Sequence, residues 1–402
     1  MLDRPTARNW IFAQIGARQR YFIPRALDAV GALDLLITDA WYAPGHPLAR
    51  TGRMQGRFSP ALPATRVWAP NLGGLMFEAG QRINGASAIE HMMARNAWFQ
   101  RVAVKRLMRV ANGPPRIVSG FSYASRDLFA YAKSRGWTTV LNQIDPGPFE
   151  EDLVASLHPD TEVPTWPARY WAEWRAETEL ADVIVVNSEW SRTALVARGV
   201  PDAKIRIIPL VYDGIERARV NRAYPAAFSA EHPLHVLFLG QVIVRKGVLP
   251  LFEAIRRIDP ATPIHFDFVG PVDMPIPDDI AADSRVSLHG SVPQAEADHY
   301  YDRADVFILP TYSDGFGVTQ VEARARQLPV IASRNCGDVV RDGVNGLLLD
   351  DVTPEAIRKA LLCCVADPAM LRRMAMAEDD SADEESIGKD WLAVLDPPAS
   401  AG

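Results

Sequence analysis

The stretch Pro310-Thr-Tyr-Ser-Asp-Gly-Phe-Gly-Val-Thr-Gln-Val-Glu322 decides how this chain is read. It follows the apolar run Val306-Phe-Ile-Leu309, which reads as a fully buried parallel strand. After it, Val318, Val321, Ala325 and Leu328 recur at helical spacing, so a strand passes through a glycine-bearing turn into a helix. The first-turn N–H groups of such a helix have no carbonyl partners and carry about half a positive charge, which suits an anion. Two acids frame the junction, Asp314 in the turn and Glu322 within the helix. Glu322 falls beside the apolar stripe, where a carboxylate needs a donor. A ribose diol supplies two hydroxyls; Arg326 at i+4 is the plainer partner.

Working outward, the same alternation recurs on both sides. Leu234–Leu239, Ile264–Val269, Val286–His289, Val306–Leu309 and Pro329–Ala332 read as strands separated by helices. Upstream, Asn9–Ile15, Leu35–Thr38, Arg116–Gly120, Thr138–Gln143, Val183–Asn187 and Ile205–Pro209 form a second such series, with residues 42–85 as loops carrying short elements. A helix is predicted over about Ala86–Val110, and others around Arg126–Arg135, Tyr170–Leu180 and Ser191–Arg198. The fold class is therefore α/β, with two Rossmann-like domains of mostly parallel sheet facing across a cleft. The predicted divisions are 1–212, 213–385, and a C-terminal helix in 386–402 suited to packing back on the first domain. The polar, proline-broken segment Asp213–His232 is the linker. The acidic run Glu378–Glu385 reads as a solvated turn or helix end.

The bulk numbers agree with an ordinary globular protein of two domains. The chain has 402 residues, a formal net charge of −6, and 48% hydrophobic and 23% charged residues. No global basic field is present to hold nucleic acid. Cys336, Cys363 and Cys364 make no disulfide framework and fit a reducing compartment. The first eight residues lack a basic start before a long apolar core, and no run reaches the roughly 18–20 apolar residues that span a bilayer. A cytoplasmic protein is expected. The basic, partly apolar run Arg101–Arg109 suits peripheral contact with the inner face of a membrane, or a solvated helix face.

Asp314-Gly315-Phe316-Gly317, four further residues and Glu322, followed by Leu328-Pro-Val-Ile-Ala-Ser333, resemble the acid-x7-acid signature of the retaining nucleotide-sugar glycosyltransferases of family 4. These have the GT-B fold. The usual first acid of that signature is Glu; here it is Asp314, one methylene shorter. The resemblance implies that Asp314 and the backbone of Gly315, Phe316, Gly317 and Val318 hold sugar hydroxyls and phosphate, while Glu322 holds the ribose. It further implies metal-independent transfer of a hexose, with no cofactor beyond the nucleotide diphosphate sugar as co-substrate.

Leu239-Gly-Gln-Val-Ile-Val-Arg-Lys-Gly247 closes the first strand of the second domain. A departing diphosphate gathers negative charge, and a cation near 4 Å contributes on the order of 4 kcal/mol at an effective dielectric near 20. Lys246, one of six lysines, and Arg245 are the candidates, with Arg245 open to a solvent-facing reading. The family pattern of Gly-Arg, then Lys-Gly, is matched at Gly240 and Lys246-Gly247, but Gln241 stands at the arginine position. Resemblance also places Ser291 and Val292 against the nucleobase and Gly16 near the donor phosphates. His289 reads as packed rather than ligating. Asp145, at the end of another strand, is a catalytic candidate or a structural turn, and Ser188 or Ser191 caps the next helix.

The function implied is transfer of a sugar, with retention, from a UDP- or GDP-type donor to a saccharide or lipid-linked acceptor in cell-surface polysaccharide or glycoconjugate synthesis. A nucleotide-sugar epimerase, a phosphorylase or a non-catalytic sugar-nucleotide binder of the same fold are the alternatives. There is no P-loop, His-Glu-x-x-His, Gly-x-Ser-x-Gly or Asp-x-Asp pair, and no Gly-x-Gly-x-x-Gly follows a first strand.

Overall fold

The computed structural model describes residues 9–50, 54, 56–85, 87–159, 165–211, 222–378 and 383–396. Residues 1–8, the 212/213 boundary with the first part of the predicted linker, and the centre of the acidic run lie outside them.

In the first domain, β1 (Trp10–Gln14), β2 (Leu33–Thr38), β3 (Val67–Trp68), β4 (Ile117–Phe121), β5 (Thr138–Asn142), β6 (Val183–Val186) and β7 (Ile205–Ile207) form one sheet. Its order is β3-β2-β1-β4-β5-β6-β7 and its pairings are parallel. The helices are α1 (Phe22–Ala29), α2 (Asn71–Asn84), α3 (Ala88–Leu107), α4 (Arg126–Ser134), α5 (Pro148–Leu157), α6 (Ala168–Leu180) and α7 (Glu189–Ala197). Strand alternation sends Ile11 and Ala13 into one core, with Phe99 and Leu128, and Trp10 and Phe12 into the other, with α1. Both faces are covered, as a parallel sheet requires.

The second domain repeats the plan with β8 (Leu234–Leu239), β9 (Ile264–Val269), β10 (Val286–Gly290), β11 (Val306–Leu309), β12 (Val330–Ala332) and β13 (Gly346–Leu348), in the order β10-β9-β8-β11-β12-β13. Its helices are α8 (Val248–Arg257), α9 (Asp278–Ala281), α10 (Gln294–Arg303), α11 (Val318–Ala325), α12 (Pro354–Ala366) and α13 (Pro368–Met376). The pairings are parallel and the strand order reverses between β8 and β11, so the loops after these two strands meet at the crevice.

The last helix, α14 (Glu384–Ala393), lies on the first domain. A Cβ on Gly388 would stand 2.4 Å from the Ala26 carbonyl oxygen of α1. That close approach lets Trp391, 2% exposed, pack edge-on to Trp10 and Phe12. The helix begins at Glu384, two residues before the division drawn from sequence.

Two expectations are corrected. Residues 42–85 are not only loops with short elements, because α2 occupies fourteen of them. Gly73, Gly74 and Gly80 lower its intrinsic propensity, but two of them serve packing: a Cβ on Gly74 would lie 3.2 Å from the Asp39 carbonyl oxygen and 3.5 Å from Trp98. On α11 the buried positions are Gln320, Ala323 and Arg324, while Val318 is 40% exposed and Val321 only partly buried. The periodic apolar stripe misled because Arg324 is buried to serve carbonyl oxygens, at 3.1 Å on Leu328, 3.3 Å on Asn345 and 3.2 Å on Met374.

Candidate active site

The loop after β11 and the loop after β8 are locked together at the crevice. Gly247 stands at φ +70°, and a Cβ there would be 1.8 Å from the Pro310 carbonyl oxygen, so no other residue fits. The short 3-10 turn Val244–Lys246 ahead of it aims two cations at the neighbouring loop. Lys246 Nζ bonds Asp314 Oδ2. Arg245 donates to the Ser313 carbonyl oxygen at 2.8 Å and lies 3.9 Å from Asp314 Oδ1. Burial raises the Asp314 pKa, but Lys246 and Arg245 outweigh it and hold the carboxyl below its ordinary range.

Gly317 caps α11 at φ +75°, and no acidic side chain sits in the first turn. The amides there are thus not neutralised by the helix's own residues. Gln320 donates to the Phe316 carbonyl oxygen at 2.6 Å and to that of Gly337 at 3.0 Å, fixing the turn. The Phe316 ring is buried against Gly337, so this residue meets the crevice through its backbone. Further along α11, Glu322 accepts from the Tyr301 hydroxyl at 2.8 Å. Burial raises its pKa; Tyr301 and Arg326 pull the other way, and Arg20 of the first domain also acts on it. Arg326, the plainer partner, instead pairs with Asp298 at 2.5 Å and Asp302 at 3.3 Å.

The first domain closes on this loop from the other side. A Cβ on Gly315 would be 2.1 Å from the Ile144 carbonyl oxygen. Ser188 caps α7 by accepting from the Ser191 N–H at 3.1 Å, and its hydroxyl donates to the Gly315 carbonyl oxygen at 2.8 Å. Trp190 Nε1 donates to Ser313 Oγ at 2.9 Å. Arg245 Nε meets Glu150 Oε1 at 3.1 Å. Burial pushes Glu150 up to about 7 against the pull of Arg245.

Asp145 is a hydrogen-bond hub through one of its two oxygens. Its Oδ1 accepts from the Tyr123 hydroxyl at 2.6 Å, Gln143 Nε2 at 2.9 Å and the Gly147 N–H at 2.9 Å. Burial raises its pKa despite these donors. Tyr123, at φ +71°, is held in turn by Glu177, which accepts its N–H at 2.5 Å and those of Ser125 and Arg126 at 2.6 and 3.2 Å. Burial pushes Glu177 up to about 8.

The remaining predicted positions are spread around the crevice. Gly16 (φ +84°) donates its N–H to Asp39 Oδ1 at 2.8 Å, and Asp39 is also bound by Arg57 and Arg95. Gly240 follows β8 with its N–H on the Val269 carbonyl oxygen, and Gln241 beside it is exposed. Ser291 is exposed after β10, while Val292 packs on the neighbouring core. His289 bonds Asp267 at 2.7 Å. In the run Arg101–Arg109, Ala103 and Leu107 are buried in the core and Arg101 and Lys105 face solvent. Sequence reasoning missed Glu150, Tyr123, Glu177 and Tyr301. Only Glu150 carried a signal, as an acid in the first turn of a helix following a strand end.

Two Rossmann-like sheets whose strand ends meet over paired cations, a helix N-terminus and a carboxylate on the same helix define the GT-B architecture. Residues 233–367, which span most of the second domain, match the family described as glycosyl transferases group 1. Among curated proteins it resembles the D-inositol 3-phosphate glycosyltransferase of Thermobifida fusca, 35% identical over 113 residues, or 28% of this chain and 25% of that protein. It also resembles the GDP-mannose-dependent alpha-(1-6)-phosphatidylinositol monomannoside mannosyltransferase of Mycolicibacterium smegmatis, 27% identical over 49% of this chain and 56% of that one. The matches thus span from a quarter to just over half of these relatives' own length. Among solved structures, Anabaena Alr3699/HepE in complex with UDP superposes with a TM-score of 0.56 at 14% identity, covering 96% of this chain and 94% of that one. Among the described residues no helix is long and apolar enough to cross a membrane.

Proposed function

We propose that the protein transfers a hexose from a nucleoside diphosphate sugar, of UDP or GDP type, to a saccharide or lipid-linked acceptor, with retention and without a metal. The observation that carries this reading is the convergence of Lys246, Arg245 and Asp314 on the N-terminus of α11, with Glu322 one turn further along the same helix. Diphosphate meets Lys246 and the amides of Gly317 and Val318, which stabilise the charge that grows as its bond to the anomeric carbon breaks. Glu322, oriented by Tyr301, accepts from the ribose hydroxyls. Asp314, held ionised by Lys246, accepts from the sugar hydroxyls. Arg245 acts at the diphosphate and at the domain junction through Glu150.

Attack comes from the same face that the diphosphate leaves. The acceptor oxygen bonds to the anomeric carbon as the carbon–phosphate oxygen bond breaks, and the acceptor's proton passes to a phosphate oxygen. Asp145, whose Oδ1 takes three donors, positions Tyr123 and the junction. UDP in the HepE complex and the GDP-mannose dependence of the Mycolicibacterium relative support the two donor types. Synthesis of a cell-surface polysaccharide or glycoconjugate at the inner face of a membrane completes the proposal. A thermal-shift screen of UDP, GDP and ADP and their hexose conjugates, followed by NMR of the product anomer, tests it. Inversion, or no shift with any nucleotide, would overturn it.

A further inference from the structure

The carboxyl ends of β1, β4 and β5 open into a cavity of about 490 Å³, a size typical of small-molecule sites. Its walls come from the first domain alone, within residues 13–18, 88–99, 121–124, Ile144 and Tyr170. It is therefore distinct from the Lys246 and Glu322 side of the crevice. Aromatic rings make much of the wall: Phe99, Phe121, Tyr123 and Tyr170, the last two stacked with centroids 4.4 Å apart. Such walls suit the apolar face of a sugar ring.

Two polar groups on this wall await a partner. The Ser122 hydroxyl is buried and makes no hydrogen bond among the described residues, a state that costs about 1–3 kcal/mol unless something fills it. The Arg18 guanidinium lies over the Phe121 ring, 4.9 Å from its centroid, with no carboxylate at ion-pair distance among the described residues. Arg18 reaches solvent, yet it sits in a concave site where desolvation lowers its pKa and Asp145 offsets this only from a distance. The other guanidinium of the cavity is already matched: Arg95 binds Asp39 at 2.5 Å and Glu78 at 3.6 Å. One positive charge is left over, and it faces the space.

We propose that this cavity takes the acceptor and that the acceptor carries an anionic group, a carboxylate or a phosphate ester, which pairs with Arg18 while Ser122 meets a ring hydroxyl. The assignment rests on the transferase reading for the word acceptor; the preference for an anionic sugar rests on the cavity itself. A guanidinium binds either anion through two parallel N–H bonds, so the two sources share one chemistry.

The test uses the full chain saturated with UDP, or with whichever nucleotide stabilises it. Glucuronate, glucose 6-phosphate and glucose are titrated by saturation-transfer NMR. At least one acid is expected to bind about tenfold more tightly than glucose, the size of one charge-assisted pair in a partly closed site. The stronger acid identifies carboxylate or phosphate. Arg18→Gln should abolish the preference while the nucleotide-induced melting shift stays at its wild-type value, which also reports an intact fold. Arg18→Lys should keep part of the preference. Equal binding of the three sugars overturns the proposal. So does loss of the nucleotide shift in Arg18→Gln, because the guanidinium would then serve the donor. An acid preference in a protein that no nucleotide stabilises would retain the anionic-sugar site and remove the transferase reading.

Discussion

Replacing Lys246 by methionine keeps the length of the stem and deletes its charge. The two partners of the Lys246–Asp314 pair are 13% and 16% exposed, so the carboxylate left behind is mostly out of water. Removing one member of such a pair costs about 3–5 kcal/mol. Arg245, 3.9 Å from the other oxygen, still compensates in part, which puts the expectation near about 3 kcal/mol. At roughly 2–4 °C per kcal/mol, the second domain should melt about 6–12 °C lower. The pH dependence has a definite sign. The Asp314 pKa is depressed in the folded protein, so its contribution is present above the unfolded value of 3.8 and is lost as pH falls through the folded value. In Lys246→Met the carboxyl titrates higher, so the deficit against wild type should shrink as pH falls from 7 toward 4. Adding Asp314→Asn removes the stranded charge and should recover much of the loss. Nucleotide release in the transfer assay should nevertheless stay about 100- to 1,000-fold down, since the cation facing the leaving group is gone. Calorimetric melting and initial rates of the two singles and the double decide the matter. A Lys246→Met protein that melts within about 1 °C of wild type and keeps its rate would show that Lys246 neither supports Asp314 nor faces the leaving group.

Glu322→Ala should weaken UDP binding about 10- to 100-fold by calorimetry, the worth of a charged acceptor toward the ribose hydroxyls, while Tyr301→Phe costs less; equal affinity in Glu322→Ala would remove the ribose role. Gly315→Ala puts a methyl 2.1 Å from the Ile144 carbonyl oxygen, so the domains must part. Its radius of gyration by small-angle scattering should rise and kcat fall, whereas no change in either contradicts the close contact. Glu150 is raised from 4.5 to about 7 on folding, so its contribution favours the protonated native state and stability attributable to it falls as pH rises from 4.5 to 7. Denaturant titrations of Glu150→Gln should lack that slope; a slope equal to wild type's would show that Glu150 is not its source.

The elements that build the site were legible because their signals are local. Val306–Leu309 reads as a buried strand from its own residues, and Gly317 and Gly247 announce backbone that other residues adopt at a cost. Alternation of strands and helices on both sides sufficed for two parallel sheets, and Lys246, Asp314 and Glu322 were named from the strand–turn–helix junctions that carry them together with the resemblance to the acid-x7-acid and Lys-Gly patterns. Local signals also misled: glycines hid α2, and a valine stripe concealed that Arg324 is the buried face of α11.

Partners are another matter. Lys246 meets Asp314 across 68 positions and Ser188 meets Gly315 across 127, and nothing in the intervening sequence encodes those distances. The closure of Glu150 on Arg245, the three donors on Asp145 Oδ1, and the placement of Arg18 over Phe121 in an aromatic cavity all arise from which loops two sheets bring to one crevice. Residues 306–325 carry in their own order the strand, the glycine turn and the helix, along with the charged residue types from which the proposed site is built. Which of those charges pair is set by the packing of the two sheets, because pairing and desolvation depend on distances of a few ångströms between segments far apart in the chain.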